Sequence, residues 1–268
     1  MKRLSPILVA AALLLAGAQA AAFAERYTDR IEKTLATGPD VAISLGNTNG
    51  SVSVEAWDGD SVELVAEKRV EAGNAGEAKK AFEGVDIIIR ETSGRVEIET
   101  KLPSASQGFV DWILGRGRNA SVRYELRVPR GAELELHTVN GNLTTEGAAG
   151  LQYLQSTNGR IQVDNAENGV EARTTNGSIR VEVSDGAAQP DIELGSTNGG
   201  ITLYLPDDIE GQINARTVNG RVKTDLPVTV HGKTQRRRLK GEINGGGASD
   251  IEISTTNGSI QISASAGS

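Results

Sequence analysis

The side chains that could do chemistry are few. Two histidines, His137 and His231, stand far apart, and neither has carboxylates at the spacing a zinc site needs. The chain has no cysteine, which removes thiolate catalysis, Cys-based zinc sites and disulfides. A Ser-His-Asp type of triad needs three converging groups, and no arrangement here points to one. Asp207-Asp208 follows Pro206 and reads as a solvated turn, not as an acid–base pair for glycoside cleavage. Asp58-Gly59-Asp60 resembles a fragment of a calcium loop without the remaining ligands, so it also reads as a turn. No phosphate-binding loop, metalloprotease motif or nucleophile elbow occurs, and no cofactor is expected.

Two stretches point to recognition instead. Arg236-Arg237-Arg238 lies in a 227–240 insertion that also carries Lys233 and Lys240. Guanidinium groups pair with phosphate or carboxylate, so the run suits an anionic glycan or anionic lipid headgroups. The competing reading is a loop kept soluble by its charge. The second stretch, Phe109-Val110-Asp111-Trp112-Ile113-Leu114, sits in a Pro-, Ser- and Gly-bearing insertion over 102–119. It reads either as a cap over an apolar repeat edge, or as a partner contact anchored by Phe109, Trp112, Ile113 and Leu114.

The elements that must position these stretches are written in a repeated phrase, Thr-x-Asn-Gly followed by an alternating strand. Its turn residues are Asn49-Gly50, Asn140-Gly141, Asn158-Gly159, Asn176-Gly177, Asn198-Gly199, Asn219-Gly220 and Asn257-Gly258. From Asn140 the steps are 18, 18, 22, 21 and 38 residues, and the last is close to two steps with one phrase degraded. A period of this size marks a repeat architecture. Around each turn, as in Val170-Glu171-Ala172-Arg173-Thr174 and Ile179-Arg180-Val181-Glu182-Val183, apolar or small residues fall every second position, the period of a half-buried strand.

Asn and Gly tolerate positive φ, so each Asn-Gly is either a hairpin turn or the corner of a solenoid. The recurring Thr and Asn, the low aromatic content (3%) and repeats too short to bury an apolar face alone favour the corner. The expected fold is all-β: a β-solenoid of stacked ~18–22-residue repeats, with a short helix near 71–82. A β-sandwich or a hairpin meander is the alternative.

Residues 1–24 read as a secretory signal peptide. Met1-Lys2-Arg3 is basic, Ile7–Leu15 is a short apolar run, and Ala22-Phe23-Ala24 is a small-residue cleavage site with no nearby Cys for lipid attachment. The apolar run is shorter than the roughly 20 residues that span a bilayer, and no second one follows. Residues 25–268 are then one β-repeat domain outside the cytoplasm, periplasmic or at the cell surface. Its N-terminal strands are expected over 25–101 and its regular repeats over 120–268. With 28 basic and 35 acidic residues the chain carries a net charge of −7, a poor match for nucleic acid.

The run from Tyr124 through Val128-Pro129-Arg130-Gly131 to Thr138-Val139-Asn140-Gly141, with the repeated phrases after it, resembles the bacterial DUF4097 family of adhesin-like toastrack repeat proteins. Asn49-Gly50-Ser51-Val52-Ser53-Val54-Glu55-Ala56-Trp57-Asp58 resembles that family's first unit. The resemblance implies an extracytoplasmic β-repeat scaffold and no established activity. The expected function is a non-enzymatic envelope scaffold or binding protein, whose partner is an envelope protein or an anionic glycan or lipid. The alternatives are an envelope polysaccharide-active enzyme and a structural protein that assembles with itself.

Overall fold

The computed structural model describes residues 25–102, 120–187, 189–230 and 235–265. The chain opens with β1 (Glu25–Ala36), β2 (Ala42–Asn49), β3 (Val52–Trp57) and β4 (Ser61–Ala72). Helix α1 (Ala75–Glu83), β5 (Asp86–Thr92), β6 (Arg95–Lys101) and β7 (Ser121–Pro129) follow. The repeats begin with β8 (Glu133–Asn140), β9 (Leu143–Glu146), β10 (Gln152–Asn158), β11 (Ile161–Ala166), β12 (Val170–Asn176) and β13 (Ile179–Val183). They continue through β14 (Ile192–Asn198), β15 (Ile201–Leu205), β16 (Gly211–Asn219) and β17 (Val222–Thr224). The short strands β18 (Val228–Val230) and β19 (Arg238–Ile243) come next, then β20 (Ser249–Asn257) and β21 (Ile260–Ala264).

These strands form two facing sheets, and the fold is the expected all-β solenoid. Each coil runs up a strand of one sheet, turns at Asn-Gly and continues in the other. One sheet stacks β2-β8-β10-β12-β14-β20-β16 and the other β3-β9-β11-β13-β15-β21-β17. Neighbours in both stacks are parallel. Thr174 accordingly pairs with Ser156 and Ser196 in adjacent coils, which excludes the hairpin meander.

Parallel stacking puts the same position of each coil in one column. Leu45, Leu136, Leu154, Ala172, Leu194, Ile253 and Ala215 form one, all buried. Val52, Leu143, Ile161, Ile179, Ile201 and Ile260 face them from the other sheet. Aliphatic side chains fill this narrow interior, which explains the shortage of aromatics. One coil carries a polar exception: Thr145 Oγ1 donates to Gln152 Oε1 at 2.6 Å, both buried, so neither polar group is stranded.

At the ends β7 and β6 still add in parallel, and antiparallel strands close the sheets beyond them and beyond β16. Beyond β3 come β7, β4 and β1; beyond β2 come β6 and β5; beyond β16 come β19 and β18. β1, mostly exposed, is therefore a long edge strand. The helix begins later than the sequence suggests, because Glu71 and Ala72 complete β4 and Asn74 caps the helix through its side chain and the Glu77 N–H, 3.0 Å.

The step of 38 residues has a different cause from the one expected. It is not two stacked repeats with one phrase worn away. The chain builds β16 and β17, leaves for the β18–β19 hairpin, and returns to insert β20 and β21 between the earlier coils. Stacking order is therefore 49, 140, 158, 176, 198, 257, 219 along the Asn corners.

Candidate functional site

The corner residues form a continuous ladder. Asn140 donates its side-chain amide to Asn49 Oδ1, Asn158 to Asn140, Asn176 to Asn158 and Asn198 to Asn176, each at 2.8 Å. Asn257 then donates to Asn198 at 2.7 Å and Asn219 to Asn257 at 2.8 Å. Inside the ladder runs a second row of hydroxyls, two residues before each Asn. Ser156, Thr174, Ser196, Thr255 and Thr217 each donate to the corner glycine carbonyl of the preceding coil, at 2.8–3.0 Å. Ser serves here as well as Thr, and so the buried hydroxyl is not always the Thr of the written phrase. In the first coil Asn47 takes this place and donates to Gly50 O and Val122 O. With the Gly50 carbonyl held by Asn47, the buried Thr138 hydroxyl is left without a partner among the described residues.

The corner glycines are required by crowding rather than by φ. Only Gly50 among them has a positive φ, +119°. At Gly141, Gly159, Gly177, Gly199, Gly258 and Gly220, a Cβ would overlap the glycine carbonyl of the neighbouring coil. The ladder is thus a structural spine. Its amides are bonded to one another, and its hydroxyls, Thr138 excepted, to glycine carbonyls.

Charge is what distinguishes the terminal coil. On the outer face of the first sheet, Glu135, Glu171, Glu193 and Glu252 lie in one column with Tyr153. Basic side chains on this face are matched: Arg95 sits 3.4 Å from Glu135, and Arg173 bonds both Glu171 and Glu193. At β16 the sign changes. Arg216 and Arg238 are direct antiparallel partners, and Lys240 lies opposite Asn214. Gln235–Arg238 forms a tight turn, in which Arg238 N–H donates to Gln235 O. The carbonyls of Arg236 and Arg237 accept from Val222 and Thr217 N–H at 2.9 Å, which closes the open edge of the last coil and leaves both side chains exposed. The turn therefore spans from one sheet to the other beside Arg221 and Lys223.

Arg216, Arg221, Lys223, Arg236, Arg237, Arg238 and Lys240 are all exposed, and none forms an ion pair among the described residues. Two like charges opposite each other across strands are destabilising unless something neutralises them. The sequence reveals the three consecutive arginines because they adjoin. Arg216, Arg221 and Lys223 escape notice because they sit singly in alternating strands, and only the fold brings them beside the others.

The remaining predicted positions separate. Phe109, Trp112, Ile113 and Leu114 lie outside the described residues, as do residues 1–24 and His231. His137 points outward from β8 and is exposed. Asp207 and Asp208 are exposed in a turn after Leu205. Asp58-Gly59-Asp60 is a turn, with Gly59 packed so closely on the Trp57 ring that a Cβ would not fit. No group of three metal-ligating side chains occurs among the described residues. No helix there is long and apolar enough to cross a membrane.

Stacked two-stranded coils joined at an amide ladder define a β-solenoid scaffold. Residues 40–263 match the description Toastrack DUF4097, and the chain belongs to that family. It is similar in fold to a structure from Clostridium sporogenes titled "putative cell adhesion protein", at 15% identity and a TM-score of 0.52, covering 88% of this chain and 100% of that one. A structure from Bacteroides fragilis titled "putative adhesin" matches at 7% identity and a TM-score of 0.42, covering 88% and 97%. No curated relative matches.

Proposed function

We propose that this chain is a non-enzymatic, adhesin-like binding scaffold that works outside the cytoplasm. The solenoid supplies a rigid body, and the basic terminal coil supplies the contact. The observation that carries this reading is a set of cations, without ion-pair partners among the described residues, at one end of a chain whose net charge is −7. A protein with an excess of carboxylates has the means to neutralise seven cations internally, and among the described residues no carboxylate pairs with them. The leader-like residues 1–24 and the adhesion titles of the structural neighbours agree with an envelope role.

The test is retention on isolated bacterial envelopes. The purified chain is expected to sediment with them at low salt and to be released by salt, as an exposed electrostatic contact requires. The triple variant Arg236→Gln/Arg237→Gln/Arg238→Gln is expected to lose most of that retention. Equal retention of variant and parent would place the contact elsewhere, and retention of neither would remove the binding role.

A further inference from the structure

The terminal coil also constrains what kind of anion it takes. We infer that its ligand is a linear acidic glycan, lying along β16 and β19 and crossing the Asn219 corner. This rests on the reading of the basic end as the binding surface.

Three observations set the shape. First, the cations form a path and not a pocket. Lys240 and Arg238 lie two residues apart on β19, Arg216 faces Arg238 across the strand gap, and the Arg236–Arg237 turn leads over the corner to Arg221 and Lys223. Neighbouring strands are about 4.8 Å apart and alternate residues about 7 Å, so charges recur at the scale of successive sugar units.

Second, the path has an acidic border. Glu252 stands one strand in from β16, beside Asn214, which lies opposite Lys240. A polyanion is turned away from the rest of the sheet and held to the last coil. A flat anionic bilayer laid against this face would instead meet the Glu171, Glu193 and Glu252 column.

Third, the chemistry fits carboxylate-bearing sugars. Guanidinium groups form bidentate contacts with carboxylates, and the side chains are exposed and free to adopt them. Exposed large apolar groups, which a lipid surface would reward, are confined among the described residues to Leu151, Tyr153 and Val218, and only Val218 lies on the terminal coil.

The experiment is calorimetric titration of the full purified chain with polyuronate fragments of graded length. A neutral glucan and vesicles containing anionic lipid serve as parallel arms. The expected result is affinity that rises with fragment length over the first several units and then levels off. Arg216→Gln/Arg238→Gln should weaken the longer fragments at least tenfold and flatten the salt dependence. Circular dichroism confirms that the variant is folded, and Arg26→Gln, at the opposite end, should bind as the parent does. Polyuronate affinity that is absent or independent of length, with vesicle or envelope binding intact, overturns the glycan assignment and leaves the binding end standing. Failure of the polyuronate, the vesicles and the envelopes together overturns both. Binding to the neutral glucan as tight as to polyuronate also overturns the inference.

Discussion

Asn219 donates its side-chain amide to Asn257 at 2.8 Å although 38 residues separate them, while Asn198, only 21 residues before Asn219, bonds Asn257 from the other side. Sequence neighbours are not coil neighbours at this end. The same displacement makes the β16 coil terminal, and so creates the edge on which the arginine turn sits.

An interior rung of the ladder is worth more than its end. Asn176→Ala removes two side-chain hydrogen bonds, to Asn158 and Asn198, whereas Asn219→Ala removes one. The ladder is exposed, so water compensates in part, and a cost of about 1–2 kcal/mol is expected for Asn176 against about half that for Asn219. Urea midpoints of the two variants measure the difference.

Two glycine replacements should diverge. Gly177→Ala drives a methyl into the Gly159 carbonyl, and backbone cannot rotate away, so a loss of about 3 kcal/mol or more is expected. At Gly195 the same methyl would lie 3.6 Å from Arg173 Cγ, an ordinary contact, and Ala should be neutral or stabilising by up to about 1 kcal/mol. Thermal melts of the pair suffice, and equal effects would contradict the crowding account of the corners.

Thr145 and Gln152 should show strong coupling. Gln152→Leu alone leaves a buried hydroxyl unbonded and is expected to cost roughly 1–3 kcal/mol. Combined with Thr145→Val, the change restores an apolar column between Leu134 and Val170 and should recover most of that loss. A double-mutant cycle reads the interaction directly.

Tyr124 should make the fold sensitive to alkali. Burial pushes its phenol up to about 12, with the Thr100 hydroxyl 2.7 Å away acting in the opposite sense. The group is raised above its unfolded value of 10.0, so its contribution is complete below that value and is lost as pH rises toward 12. Stability should fall by about 2–3 kcal/mol across this interval. Tyr124→Phe removes this dependence at the cost of an unbonded Thr100, and denaturant unfolding at several pH values compares the two.

Much of this architecture is legible before folding. The recurring Asn-Gly and the alternation beside it specify coils, because both column and corner are fixed by local periodicity. The role of the corner glycine is not, since Gly177 has ordinary φ and is excluded from bearing a Cβ only by the Gly159 carbonyl of another coil. The insertion of β20 beside β14 is equally invisible, because any two coils with matched columns stack alike in sequence. For the site, Arg236, Arg237 and Arg238 announce themselves by adjacency. Arg216 reads as a solvated strand residue until its pairing with Arg238 is known.

The returning strand has a temporal consequence. Residues 211–224 are synthesised before 249–264, yet in the finished stack the later segment lies between them and β14–β15. Growth coil by coil, the natural route for a solenoid, would dock β16 directly on β14, where its apolar columns also fit. Vectorial synthesis thus invites a premature closure that the native molecule must avoid or undo. The β18–β19 hairpin covers only the outer edge of β16, so the inner edge stays open for β20.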